Sequence, residues 1–98
     1  MKEVILGMEA EITELPYEIK IDRMFYYLLK DEESYRLVSR ACPHAGALIE
    51  AEDGELVCYM HGWCFDAHTG DCLNIPGKRL DAYGVIAREG QLIAQFQD

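Results

Sequence analysis

Two stretches of the sequence, CPHAG at residues 42–46 and CYMHGWCFD at residues 58–66, decide how the chain is interpreted. Each carries one cysteine and one histidine, first as C-x-H and then as C-x-x-H, with thirteen residues between His44 and Cys58. The proline and glycine of the first stretch fit an irregular loop better than a strand. Two loops therefore present two thiolates and two imidazoles, which together make a set of four metal ligands.

Ligand chemistry alone leaves the kind of metal open. Cys42, His44, Cys58 and His61 form a Cys₂His₂ set, which is common for tetrahedral zinc and needs no redox role. A lone cysteine or histidine is more often a satisfied core residue, but four at this spacing favour a metal site. In a reducing compartment, four cysteines in a short chain also indicate metal before disulfides.

The residues around these ligands resemble the Rieske family, whose two boxes read C-x-H-x-G and C-x-x-H-G-W-x-[FY]-D and are followed by a Thr-Gly turn. That turn is matched by Thr69-Gly70, and the resemblance is strongest over residues 42–77. It implies one [2Fe–2S] cluster per chain, with Cys42 and Cys58 on one iron and His44 and His61 on the other. Structural zinc and a metal-free domain of the same fold are the alternatives.

The same resemblance gives supporting roles to four more residues, namely Gly46, Gly62, Trp63 and Pro76. The two glycines would let backbone N–H groups approach the cluster sulfurs, or they simply serve the geometry of turns. Pro76 resembles the proline of a third loop that covers the cluster, with a plain strand terminator as the alternative.

The chain departs from respiratory and photosynthetic Rieske proteins at four positions. Those proteins carry a disulfide between the boxes, where this sequence has Ala47 and Met60. They also carry a serine and a tyrosine whose hydroxyls bond cluster sulfur, where this sequence has Trp63 and Phe65. Such hydrogen bonds stabilise the reduced cluster and so raise its reduction potential. Because Trp63 and Phe65 have no hydroxyl, we expect a potential near the bottom of the Rieske range, about −150 mV.

The rest of the sequence consists of short β-rich runs separated by turn residues, without a sustained 3.6-residue apolar period. We expect an all-β, Rieske-type antiparallel β-sandwich, forming one domain over residues 1–98 with its cluster-binding part at about residues 40–78. The acidic runs are expected in solvated loops. Predicted strands are Glu3–Leu6 (an edge), Tyr17–Ile21, Arg23–Leu29 (central), Tyr35–Ser39, Leu56–Cys58, Cys64–Asp66, Asp71–Leu73, Tyr83–Ala87 and Leu92–Phe96.

Charge and hydropathy indicate which classes of partner this chain can bind. Nine Lys and Arg against eighteen Asp and Glu give a net charge of −9, which repels the phosphates of nucleic acid. The acidic runs could instead steer a basic protein toward this chain. The apolar runs fall short of the roughly 20 residues that cross a bilayer. The N-terminus does not read as a secretory signal, so no membrane association and a cytoplasmic location are expected.

We therefore expect an electron carrier, rather than an enzyme, that passes single electrons from a flavin-dependent reductase to a terminal oxygenase. The alternatives are a small subunit or domain of a larger oxidoreductase, of the Rieske oxygenase or nitrite reductase type, and a zinc-stabilised interaction module. Cys64 and Cys72 are expected as free, half-buried thiols, with a disulfide or a second metal site as alternatives. His68 is expected to be exposed and without a function.

Overall fold

The computed structural model describes residues 2–42, 47–60 and 62–97, and it confirms the all-β prediction. Every strand pair is antiparallel. A single 3-10 turn, Glu9–Glu11, interrupts the strands in the described residues. The strands are β1 Lys2–Met8, β2 Tyr17–Ile21, β3 Met24–Asp31, β4 Ser34–Ser39, β5 Glu50–Glu52, β6 Glu55–Cys58, β7 Trp63–Asp66, β8 Ala82–Arg88 and β9 Gln91–Phe96.

Six of the strands form the larger sheet, in the order β1-β9-β8-β4-β3-β2. β1 lies at an edge, as predicted for Glu3–Leu6. β3 lies between β2 and β4, and its residues Tyr26 to Leu29 are buried on both faces, which explains the unbroken apolar run that predicted a central strand. The closing hairpin predicted for the last strands is β8 and β9.

The other three strands form a small sheet in the order β5-β6-β7. Its inner side chains pack against the larger sheet in one core cluster, so the two sheets share an apolar interface. That core cluster contains Tyr27, Leu29 and Val38 from the larger sheet, Leu56, Cys58 and Phe65 from the smaller one, and Cys42, Ile49, Ala67 and Leu80 from the connections.

Two sequence predictions need correction. Glu50–Glu52 was expected in an acidic loop but forms β5, because its backbone pairs with β6 while all three residues stay exposed. Asp71–Leu73 was expected as the second strand of a hairpin with Cys64–Asp66. It does pair with β7, through the bridge Phe65↔Cys72 and the bonds from the N–H of Asp66 to the carbonyl of Asp71 (2.8 Å) and from the N–H of Leu73 to the carbonyl of Cys64 (2.7 Å), but it is too short to form a strand of its own. The chain turns away immediately afterwards, through Pro76, which has no N–H to extend a ladder.

The two ends of β3 lead to different parts of the molecule. At one end, the N–H of Arg40 donates to the carbonyl of Phe25 (3.0 Å) as the chain leaves β4 toward Cys42. At the other end, about 20 Å away by the rise of an antiparallel strand, Asp31 pairs with Ser34 across an acidic turn. No helix among the residues that the structure describes is long and apolar enough to cross a membrane.

Candidate metal centre

The two cysteines predicted as ligands lie together in the interior. Cys58 is the last residue of β6 and is fully buried, and Cys42, two residues after Arg40, is 2 % exposed. Both belong to the core cluster between the sheets. No disulfide links the cysteines in the described part of the chain. His44, His61 and Gly46, the other residues predicted for this centre, lie outside the described residues.

Backbone hydrogen bonds close the base of the first cysteine segment, which we define as residues 41–48. The N–H of Cys42 donates to the carbonyl of Ala47 (2.8 Å), and the N–H of Ile49 donates to the carbonyl of Arg40 (2.7 Å). A bridge between Ala41 and Leu48 lies between these two bonds. Backbone hydrogen bonds therefore hold Cys42 where the two ends of the first cysteine segment meet.

Arg40 reinforces that base with its side chain. It is 7 % exposed, and its Nε donates to the carbonyl of Ile49 (2.9 Å) while its Nη2 bonds the carboxylate of Glu50 (3.1 Å). The guanidinium also lies over the ring of Tyr27, 4.5 Å from the centroid. A buried cation is tolerated here because its donors are satisfied and its plane packs on an aromatic face. Sequence reasoning did not identify Arg40.

The second cysteine segment, residues 59–62, is closed as a turn. The N–H of Gly62 donates to the carbonyl of Cys58 (2.9 Å), and Gly62 has φ +74°, a conformation that favours glycine. Of the two roles considered for Gly62, turn geometry is therefore the one with a direct structural observation. The N–H of Gly62 is engaged by a carbonyl oxygen.

A third segment, which we call the proline segment, covers residues 73–78. Its ends are joined by a bond from the N–H of Cys72 to the carbonyl of Lys78 (2.8 Å), and Pro76 lies exposed at its turn. The N–H of Leu73 donates to the carbonyl of Cys64 (2.7 Å), which attaches this segment to β7. The chain from Pro76 thus runs beside the strand that follows the second cysteine segment.

Of the four positions that depart from respiratory and photosynthetic proteins, three lie in or against the apolar core and one is exposed. Phe65 is fully buried, and its ring lies 6.4 Å from that of the half-buried Trp63. Neither side chain has a hydroxyl. Ala47 packs against the core cluster, whereas Met60 is 64 % exposed. Hydroxyl donors and a covalent tie are therefore absent at these four positions.

Cys64 and Cys72 are free and half-buried, as predicted. Cys72 pairs directly with Phe65, so it shares the face of Phe65, and Cys64 belongs to the opposite face of β7. That arrangement argues against a disulfide between them. Burial raises the pKa of the Cys64 thiol, and the carboxylate of Glu55 raises it further, so the thiol stays protonated at neutral pH.

His68 lies away from this centre. It follows β7 at the end where Glu55 pairs with Asp66, whereas Cys58 pairs with Trp63 at the other end. Its Nδ1 lies 2.9 Å from the carbonyl of Lys30, and its ring lines an open cleft of about 420 Å³. The structure thus places His68 on the surface, as predicted, with a backbone partner.

Exposed apolar side chains occur in the segments that adjoin Cys42 and Cys58. They come from all three segments, and we call them the apolar tip: Leu48 (45 % exposed), Tyr59 (65 %), Met60 (64 %) and Leu73 (52 %). The turn with Asp31, Glu32 and Glu33 lies at the far end of β3. A partner bound at the apolar tip would therefore not meet that acidic turn.

Comparison with known proteins identifies the family. The sequence matches the Rieske [2Fe-2S] domain over residues 3–93. The chain belongs to the Rieske [2Fe-2S] domain family. This confirms the resemblance seen in the two boxes and extends it to the N-terminal strands, for which the sequence offered only a plausible strand pattern.

Three similar proteins show where this domain occurs. Cholesterol 7-desaturase of Caenorhabditis elegans is 32 % identical over 65 residues, which cover 60 % of this chain and only 15 % of the desaturase. The ferredoxin of carbazole 1,9a-dioxygenase from Nocardioides aromaticivorans IC177 has a TM-score of 0.66 at 23 % identity, covering 96 % of this chain and 97 % of its own. The plasma membrane Rieske protein PetC3 from Synechocystis PCC 6803 has a TM-score of 0.74 at 20 % identity, covering 95 % and 99 %.

Proposed function

We propose that this chain is a one-electron carrier that holds a single [2Fe–2S] cluster on Cys42, His44, Cys58 and His61, within one domain over residues 1–98. The observation that carries the proposal is the pair of buried cysteines, one from each Rieske box, in the same core cluster. When bound, the cluster supplies reversible one-electron chemistry. Zinc on the same four ligands is the competing assignment.

The described residues suit such a centre. Cys42 and Cys58 lie in an apolar environment that includes Ile49 and Phe65, so water is kept from their sulfurs. Arg40 and the backbone bonds at residues 40–49 hold the first cysteine in place. Phe65 and Trp63 supply no hydroxyl donor to a sulfur, which supports a potential near the bottom of the Rieske range, about −150 mV.

The apolar tip is the surface that we propose for partner docking. Its residues lie next to the segments that carry the predicted ligands, and a short path for the electron requires the partner to contact that end. We propose a flavin-dependent reductase as the donor and a terminal oxygenase as the acceptor. A dioxygenase ferredoxin of nearly the same length and fold supports the choice of an oxygenase as partner. The carrier that we propose is soluble and cytoplasmic and catalyses no reaction itself.

The second candidate is a domain or subunit of a larger oxidoreductase. The observation that favours it is that the matched residues span only 15 % of the desaturase, where the same domain is part of a much longer chain. In that arrangement the apolar tip would lie against a permanent partner rather than a transient one.

Metal analysis of the purified protein tests the cluster. We expect a coloured protein with iron and acid-labile sulfide in equal amounts, two of each per chain. A colourless protein that contains one zinc and no iron would overturn the proposal and leave the zinc-stabilised module.

Affinity capture from the source cells, with mass spectrometry, tests the carrier role. We expect a flavoprotein reductase and an oxygenase to be captured weakly and separately by the native chain, and Met60→Glu to lose both. Met8→Glu is the matched control, because Met8 is also exposed (41 %) but lies beside Gly90, in the turn after β8. A stoichiometric complex that survives purification would instead establish a subunit.

A further inference from the structure

Asn74 joins the proline segment to the strand that follows the second cysteine segment. Its Nδ2 donates to the carbonyl of Gly62 (2.9 Å), and its Oδ1 accepts a hydrogen bond from the N–H of Cys64 (3.2 Å). The same Oδ1 lies 3.2 Å from the thiol of Cys72, which donates to it. One amide side chain therefore bonds the backbone on both sides of Trp63.

These bonds differ from the usual behaviour of asparagine in a turn. Near a proline, asparagine commonly bonds its own backbone about two residues away. The two backbone partners of Asn74 are 12 and 10 residues away in sequence and belong to another segment. The contact is thus a tie between two segments, made by a donor and an acceptor of a single planar group.

We propose that Asn74 is a positioning residue that ties the proline segment to the end of the second cysteine segment. It fixes the two peptide groups that flank Trp63, so it restrains the end of the segment that carries the predicted ligand His61. The link to the cluster rests on the proposed function. The tie between the segments rests on the two hydrogen bonds to Gly62 and Cys64 alone.

Two substitutions separate the parts of this role. Asn74→Ala removes both the donor and the acceptor. Asn74→Asp keeps the acceptor for Cys64 but loses the donor to Gly62, and it adds a negative charge beside the segment.

Asp66→Ala is the matched control. The carboxylate of Asp66 also ties down backbone, because its Oδ1 accepts from the N–H groups of His68 (2.7 Å) and Thr69 (3.0 Å). It does so at the end of β7 away from Cys58. The control therefore loses a comparable number of side-chain-to-backbone bonds without touching the second cysteine segment.

The experiment combines hydrogen exchange by mass spectrometry, the rate of cluster loss under native conditions, and the reduction potential. We expect Asn74→Ala to speed both exchange over residues 59–66 and cluster loss by about tenfold relative to Asp66→Ala, after correction for overall stability. We expect Asn74→Asp to lower the potential below that of Asn74→Ala, because the added charge disfavours the reduced cluster.

Equal cluster loss in Asn74→Ala and Asp66→Ala would overturn the proposal and reduce Asn74 to a general stabiliser. An unchanged potential in Asn74→Asp would likewise show that the residue does not act on the cluster environment. If the protein holds no iron, the proposed function fails, and hydrogen exchange over residues 59–66 still decides whether Asn74 ties the segments together.

Discussion

The two sheets of this protein are stabilised in different ways. The strands of the larger sheet contain five to eight residues and are paired by backbone ladders of three to six residue pairs, with one irregularity between Ile5 and Gly7 of β1. The strands of the smaller sheet contain three or four residues. Its connections depend on individual side chains that bond backbone. Arg40 and Asn74 bond backbone 9 to 12 residues away, and Asp66 bonds the backbone of the turn that follows it. The sheet that carries the predicted cluster is therefore the one with the least regular structure of its own.

This difference indicates that the two sheets do not have the same local stability. Short strands bury little apolar surface and make few ladder bonds, so they need additional links to remain in one arrangement. A metal centre supplies such links, because its binding free energy becomes available for folding. We infer that the larger sheet folds on its own ladders, while the smaller sheet depends on the cluster and on a few polar side chains.

The largest effect should follow from removing a ligand. In Cys42→Ser or Cys58→Ser we expect complete loss of iron and loss of hydrogen-exchange protection in β5, β6 and β7, while β3, β4 and β8 keep theirs. Iron analysis and hydrogen exchange measure the two parts. Uniform loss of protection in both sheets would contradict the distinction drawn between them.

Replacing Arg40 should have the next largest effect. Arg40→Met loses the bonds to Ile49 and Glu50 and the contact with Tyr27, so we expect a cost of about 2–3 kcal/mol in the free energy of unfolding. The exposed pair of Arg88 with Glu3 is the control, and Arg88→Met should cost clearly less, because exposed ion pairs contribute little to stability. Chemical denaturation compares them, and equal costs would show that Arg40 is not a special link.

Alkaline pH should destabilise the protein through the larger sheet. Burial raises the pKa of Tyr26, Tyr27 and Tyr35, and the carboxylate of Glu9 adds to the effect at Tyr35. A raised pKa gives stability that is fully present below the unfolded value of about 10 and is lost as pH rises through the folded value. Denaturation between pH 8 and 11 should show this fall, and Tyr35→Phe should lessen it. A constant free energy of unfolding across that range would contradict the assignment.

The smallest effect concerns Cys64, at the edge of the smaller sheet. Because burial and Glu55 raise the pKa of its thiol, Glu55→Gln should lower that pKa and speed alkylation of Cys64 a few-fold at pH 8. Glu52→Gln, in the neighbouring strand, is the control. Iodoacetamide labelling followed by mass spectrometry measures both rates. The same rate in the two variants would show that Glu55 does not act on Cys64.

Most of the larger sheet could be predicted because its signals are local. The apolar run at Arg23–Leu29 predicted β3, and the alternation at Tyr17–Ile21 predicted β2. β5 could not be predicted, since Glu50–Glu52 carries acidic, exposed side chains and becomes a strand only through its ladder with β6. Residues 50–52 form a strand because β6 offers a backbone to pair with, and their own side chains do not favour one.

The site was predicted in a similarly uneven way. Cys42 and Cys58 stand out through their spacing to histidines, a local pattern, and the structure brings both into one core. Arg40 and Asn74 were missed because their partners lie 9 to 12 residues away, on other segments. A turn asparagine before a proline suggests a local bond, so only the fold reveals that Asn74 joins two segments.

A redox titration of the purified protein followed by electron paramagnetic resonance tests the central claim most directly. The account predicts a single one-electron centre whose reduced signal has the low average g-value of mixed cysteine and histidine ligation, with a midpoint potential near the bottom of the Rieske range, about −150 mV. A signal typical of four cysteine ligands, or the absence of any reducible centre, would contradict it.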